Sequence, residues 1–132
     1  MTQEEKTILF QDLSARLPYH VRVKVWLKEG TTEEGPLDLQ HNYSDVLLDA
    51  FYYDKIKDIK PYLRPMSSMT KEESIEYGKT LTCHIGRDNC TYTHQTFKSI
   101  DWLNTHHFDY RGLIEMGLAL EAPEDMYNLK EK

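Results

Sequence analysis

Within the first 25 residues the apolar spacing changes from four to two. Leu9, Leu13 and Leu17 recur at every fourth position with Phe10 beside them, which lays one apolar stripe along a helix. Val21, Val23 and Val25 then alternate with Arg22, Lys24 and Trp26, the pattern of a strand with a valine face inward and a basic or aromatic face outward. Pro18 stands between the two patterns and stops the helix. Thr2 followed by Glu5 has the capping-box spacing, so the helix starts at the beginning of the chain and runs for about four turns. A chain that changes period in this way must bury a helix stripe and a sheet face in one core.

Further along, Lys28 to Pro36 is acidic and bracketed by glycines, as a loop would be. A short second strand is expected at Leu37–Leu39 and a third from Val46 to Tyr53. Ile56 and Ile59 sit three apart before Pro61, which predicts a single helical or 3₁₀ turn. Thr70 with Glu73 gives a second capping box, opening a helix that Gly78 can end. Leu81 to Tyr92, centred on Gly86-Arg87-Asp88-Asn89, predicts a β-hairpin. Thr93 is expected to cap a third helix burying Phe97, Ile100 and Leu103, with Trp102 on its flank. Asp109 is expected to cap a short fourth helix, Tyr110 to Met116, and residues 120–132 to form a frayed charged tail. This order predicts an α+β fold: an N-terminal helix, a small antiparallel β-core and a C-terminal helical pair in a single domain spanning residues 1–132.

Composition narrows the function classes. The net charge is −6, so the long-range field repels phosphate backbones. The candidate basic patch, Arg22, Lys24, Lys55, Lys57, Lys60 and Arg64, interleaves with acids and reads as solvated surface. Nucleic acid and anionic membranes are therefore disfavoured partners. The first residues carry no basic and apolar leader, and no apolar run approaches the roughly 18 residues of a membrane span. A cytoplasmic protein with reduced cysteines and no membrane contact is expected.

Two blocks are distinctive: Ile59-Lys60-Pro61-Tyr62-Leu63-Arg64-Pro65-Met66-Ser67-Ser68-Met69-Thr70, and Ile100 to Asn104 continuing through His106-His107-Phe108-Asp109-Tyr110-Arg111-Gly112 to Pro123. With Leu17-Pro18-Tyr19, they resemble a family of short proteins encoded by gut bacteria and their prophages, a family with no established activity. The resemblance covers about half of the chain and implies a small accessory protein, with no catalytic residue carried over. The strands between Val21 and Pro65, closed by the Ile56–Ile59 turn, also look like a small SH3-like barrel.

Four residue sets suggest chemistry or binding. Cys83, Cys90 and His94 offer thiolate and imidazole ligands for zinc, yet six residues separate the thiols and no second knuckle exists. If the tight turn falls at Gly86-Arg87, the two cysteines instead face each other across the hairpin as small packing groups. His106, His107 and Asp109 contain the elements of a two-histidine, one-carboxylate site, but adjacent helical residues point about 100° apart. The alternative places His107 inside, His106 outside and Asp109 as a cap. Glu29, Glu33, Glu34 and Asp38 lack EF-hand spacing for calcium. No G-x-S-x-G elbow, P-loop, G-x-G-x-x-G or H-E-x-x-H occurs, so the chain reads as non-catalytic with no cofactor. Trp26, Tyr52, Tyr53 and Tyr62 are the candidates for an aromatic face that holds a peptide, the alternative being that these rings fill the core. The leading expectation is a protein-interaction module, followed by a nucleic-acid-associated protein and then a zinc protein using Cys83, Cys90 and His94.

Overall fold

Both halves of the opening period change are realised. In the computed structural model, which describes residues 2–37, 56–89 and 91–127, helix α1 spans Gln3–Ala15 and strand β1 spans Val21–Leu27. The capping box closes α1: Thr2 Oγ1 accepts from the Glu5 N–H and Glu5 Oε1 accepts from the Thr2 N–H, both at 3.1 Å. A 3₁₀ turn at Leu17–Tyr19 holds Pro18, and His20 in the left-handed region (φ 57°) turns the chain into β1.

The sheet is built around β1. Strands β2 (Thr32–Leu37) and β3 (Ile56–Leu63) flank it, both antiparallel to it, and the order is β2-β1-β3-β6, with β6 (Leu120–Glu121) parallel to β3. Val21, Val23 and Val25 form the buried face with Leu37, Ile59 and Leu63, and Leu9 and Leu13 of α1 close over it. The molecule is therefore mixed α+β, with three helices and a four-stranded sheet among the described residues.

The sheet corrects three expectations. Ile56 and Ile59 lie on β3 and not on a helical turn, because the ladder contains a bulge: Trp26 opposes Asp58 while Leu27 opposes Ile56, which leaves Lys57 as the extra residue. The bulge turns a strand period of two into an inward spacing of three, which mimics a helix. With that turn gone, none of the described elements folds the sheet back on itself. The described strands form an open sheet and no closed barrel, with β2 and β6 as its outer strands. The acidic stretch is also shorter as a loop than expected. Glu33 and Glu34 already belong to β2, and only Lys28–Thr31 turns, with Gly30 at φ 98°. The expected strand at Val46–Tyr53 lies outside the described residues.

Beyond β3, helix α2 (Lys71–Gly78) starts at the expected capping box of Thr70 and Glu73. A hairpin of β4 (Thr82–Ile85) and β5 (Thr91–His94) follows, then helix α3 (Phe97–Thr105). Thr93 belongs to β5, and the cap of α3 is Thr96, whose Oγ1 accepts from the Ser99 N–H at 3.1 Å. This shift places Phe97 at the first turn, 93% exposed, and gives the buried stripe to Ser99, Trp102 and Leu103. Trp102, Leu103 and Phe108 then form a second core with Met69, Tyr77, Ile100 and Tyr110 at its margin.

No helix follows α3 among the described residues, so the expected helical pair is a single helix succeeded by turns. Gly112 and Gly117, at φ 75° and 76°, break the helical path, and the Asp109 carboxylate gathers the turn by accepting from the Leu113 and Ile114 N–H groups at 2.8 and 3.0 Å. The expected frayed tail is also corrected as far as Tyr127. Leu120 and Glu121 pair with Tyr62 and Leu63, and the Ala122 N–H donates to the Leu63 carbonyl at 2.8 Å. None of the described helices is long and apolar enough to cross a membrane.

Arg64 ties the sheet to α2. Its guanidinium grips Glu73 with two hydrogen bonds of 2.8 and 2.7 Å and lies 4.2 Å from the centroid of the Phe108 ring. The Arg64 bonds, together with the Thr70 cap, hold the Glu73 carboxyl down at about 2, below its usual 4.5. A carboxylate depressed in the folded state stabilises fully above its unfolded value and loses that contribution as protons arrive. Acid titration of unfolding is expected to show wild-type protein more stable than Glu73→Gln at neutral pH, with the gap narrowing between pH 4.5 and about 2. Gln keeps the capping geometry, so a gap that stays constant across that window would overturn the assignment.

Candidate functional site

The alternation that buries the valines sends Arg22, Lys24 and Trp26 to the opposite face of the sheet. The β1–β3 register sets Lys60 beside Lys24 and Asp58 beside Trp26, while β2 brings Glu34 to the other side of Lys24. The Nζ atoms of Lys24 and Lys60 stand 5.3 and 5.8 Å from the Trp26 ring centroid. Two ammonium groups on one indole make a cationic, aromatic centre of the kind that gains from cation–π attraction. Tyr62 joins the same face two positions along β3 from Lys60, and its hydroxyl donates to Glu34 Oε1. That bond, then burial, pushes the Tyr62 phenol above its ordinary value. The face offers ring surface, ammonium donors and one fixed phenol, which is binding chemistry.

Of the four aromatic residues singled out in the sequence, Trp26 and Tyr62 share this half-buried face, whereas Tyr52 and Tyr53 lie outside the described residues. Lys60 was named with Lys24 in the basic patch but read as solvated surface, and its place beside Trp26 was missed because Lys55 to Tyr62 reads as a helical turn. The signal that finds it is the alternation of Asp58, Lys60 and Tyr62 with buried Ile59, Pro61 and Leu63.

The metal-site candidates separate. In the hairpin register Cys83 opposes Thr93 and His94 opposes Thr82, so Cys83 and His94 stand on opposite faces of the two-stranded ladder. Cys83 therefore faces Thr93, while Cys90 lies outside the described residues along with its share of the zinc reading. Among the described residues no three ligating side chains gather. His106 stacks on Trp102 at 4.0 Å, with Nδ1 2.9 Å from the Trp102 carbonyl, and His107 is buried against Tyr127 at 3.8 Å. With Asp109 committed to backbone N–H groups, the three do not serve one ion.

A buried polar cluster went unread in the sequence. Leu9, Asp12 and Leu13 of α1 and the capping residue Arg16 just beyond it lie on one heptad stripe, and all four are fully buried. Arg16 Nε meets Asp12 Oδ2 at 2.8 Å, Arg16 Nη2 donates to the Phe108 carbonyl at 2.7 Å, and Arg111 Nε approaches Asp12 Oδ1 at 3.3 Å. The Tyr110 ring lies 4.9 Å from the Arg16 guanidinium and 5.2 Å from that of Arg111. This cluster fastens α1 to the segment after α3, with Asp12 and Arg16 fully buried and Arg111 partly exposed at its edge.

Comparisons with protein-family models, with curated proteins and with solved structures find no match.

Proposed function

We propose that this chain is a non-catalytic protein-interaction module that takes an acidic segment of a partner protein on the sheet face around Trp26. The observation that carries the reading is the pair Lys24 and Lys60 converging on one indole. In a chain of net charge −6, cations gathered at an aromatic surface mark a local reversal of sign. Carboxylates of a partner gain two ammonium donors there, and its apolar stems gain the Trp26 and Tyr62 rings. The same residue types also serve single-stranded nucleic acid, and the oligonucleotide arm of the titration below separates that reading from this one.

Calorimetric titration of the full chain with an oligoglutamate peptide, an oligoglutamine peptide and an oligothymidylate tests this. Binding is expected for oligoglutamate alone among the three, weakened about three- to tenfold in Lys24→Gln with Lys60→Gln, since each exposed ammonium–carboxylate pair contributes about 0.2–1 kcal/mol. Equal affinity for the glutamine peptide, or tighter salt-sensitive binding of the oligonucleotide, overturns it.

A further inference from the structure

The ladder between β1 and β3 stops one rung early. Val23 opposes Pro61, but Arg22 and Tyr62, next in register, are not joined directly. Tyr127 stands between them. Its hydroxyl accepts from the Arg22 N–H at 2.8 Å and donates to the Tyr62 carbonyl at 2.8 Å, the two groups that a direct rung would have joined. A phenol needs its proton to play both parts, and burial pushes this one up to about 12, so it keeps that proton throughout the neutral range. The ring is held from the side by His107, stacked at 3.8 Å, a residue itself in the left-handed region at φ 62°.

The segment that delivers Tyr127 is anchored at its two ends and loosely held between them. At one end are the two-residue pairing of β6 and the Ala122 bond to Leu63; at the other is Tyr127. Pro123, Glu124 and Asp125 between them are exposed, joined only through a turn from the Pro123 carbonyl to the Met126 N–H at 3.1 Å. So few backbone bonds place the segment at the low-stability end of the fold.

We propose that Tyr127 is a clasp on the Trp26 face. With its hydroxyl in the seam, Arg22 and Tyr62 hold fixed positions at the end of that face, and withdrawal of Leu120–Tyr127 opens the β1–β3 seam there and slackens the face. The reason is geometric. The backbone groups that Tyr127 bridges belong to the two residues whose side chains, by strand alternation, project onto the face beside Lys24 and Lys60. An unfilled seam leaves a part-buried N–H and C=O without partners, so the strands shift or admit water. The consequence for binding rests on the reading of the face given above, whereas the seam itself does not.

Full-length wild type, Tyr127→Phe and Tyr127→Ala, compared by backbone and side-chain NMR with hydrogen exchange, test the clasp. Phe keeps the stack on His107 and removes only the hydroxyl. The Arg22 amide is expected to exchange at least about tenfold faster in Tyr127→Phe, with the Val23 and Val25 amides unchanged and the Tyr62 ring and Trp26 indole N–H resonances displaced. Oligoglutamate affinity should fall in the same variant. An Arg22 amide as protected in Tyr127→Phe and Tyr127→Ala as in wild type overturns the clasp. Faster exchange with unmoved Tyr62 and Trp26 resonances overturns its coupling to the face. If wild type does not bind oligoglutamate, the function reading fails while the exchange and resonance shifts still decide the clasp.

Discussion

Asp12→Ala is expected to destabilise the chain by about 3–5 kcal/mol in denaturant unfolding, because it strands the fully buried Arg16 guanidinium without its counter-charge. The loss is not that of one hydrogen bond. The desolvated guanidinium is met by Asp12, by the Phe108 carbonyl and by the Tyr110 ring. Arg111 also loses the carboxylate it approaches at 3.3 Å, although it keeps partial access to water. The paired replacement Asp12→Leu with Arg16→Met removes both charges, and it should recover a large part of the loss, leaving the Phe108 carbonyl short of its donor at about 1–3 kcal/mol. A double variant no more stable than Asp12→Ala would show that the uncompensated charge is not what costs.

The same helix shows how far the residues announce the fold. The stripe Leu9, Leu13 and Leu17 and the valine alternation were legible because each rests on a local period, and three capping sites obey short-range stereochemistry, of which those at Thr2 and Thr70 were placed correctly. Asp12 and Arg16 lie on the inward stripe at the right spacing, but charge argues for solvent unless a partner is known. Their partners, the Phe108 carbonyl and Arg111, come from the far end of the chain, and no local pattern reports such a meeting.

The errors have the same origin. A single bulged residue, Lys57, gave β3 a helical spacing, which concealed Lys60 as the second cation on Trp26 and suggested the turn that would have closed a barrel. Thr93 and Thr96 are both competent caps, and the choice between them turned on whether the hairpin claimed Thr93. The tail is charged enough to fray, yet one tyrosine hydroxyl finds a backbone donor and acceptor at a seam. Of the candidate site, Trp26, Lys24 and Tyr62 could be named from sequence, while their assembly with Lys60 needed the register of two strands.

Phe108→Ala should match Asp12→Ala in scale, at about 3–5 kcal/mol, and for a different reason. Phe108 is fully buried where the two cores meet: its ring stacks on Trp102 at a centroid separation of 5.7 Å, Arg64 covers it at 4.2 Å, and its carbonyl receives Arg16. Truncation removes the ring contacts and leaves a cavity between Trp102 and the Arg64–Glu73 pair, while the backbone carbonyl and its bond to Arg16 remain in place. Phe108→Leu keeps most of the volume and should cost less than half as much. If Phe108 joins the α3 core to the sheet, Phe108→Ala should also raise the hydrogen-exchange rates of the Arg64 and Asp109 amides, whose backbone bonds to His107 and Arg64 flank it. Loss of stability with those two amides still fully protected would mean that Phe108 fills space in the second core without coupling it to the first.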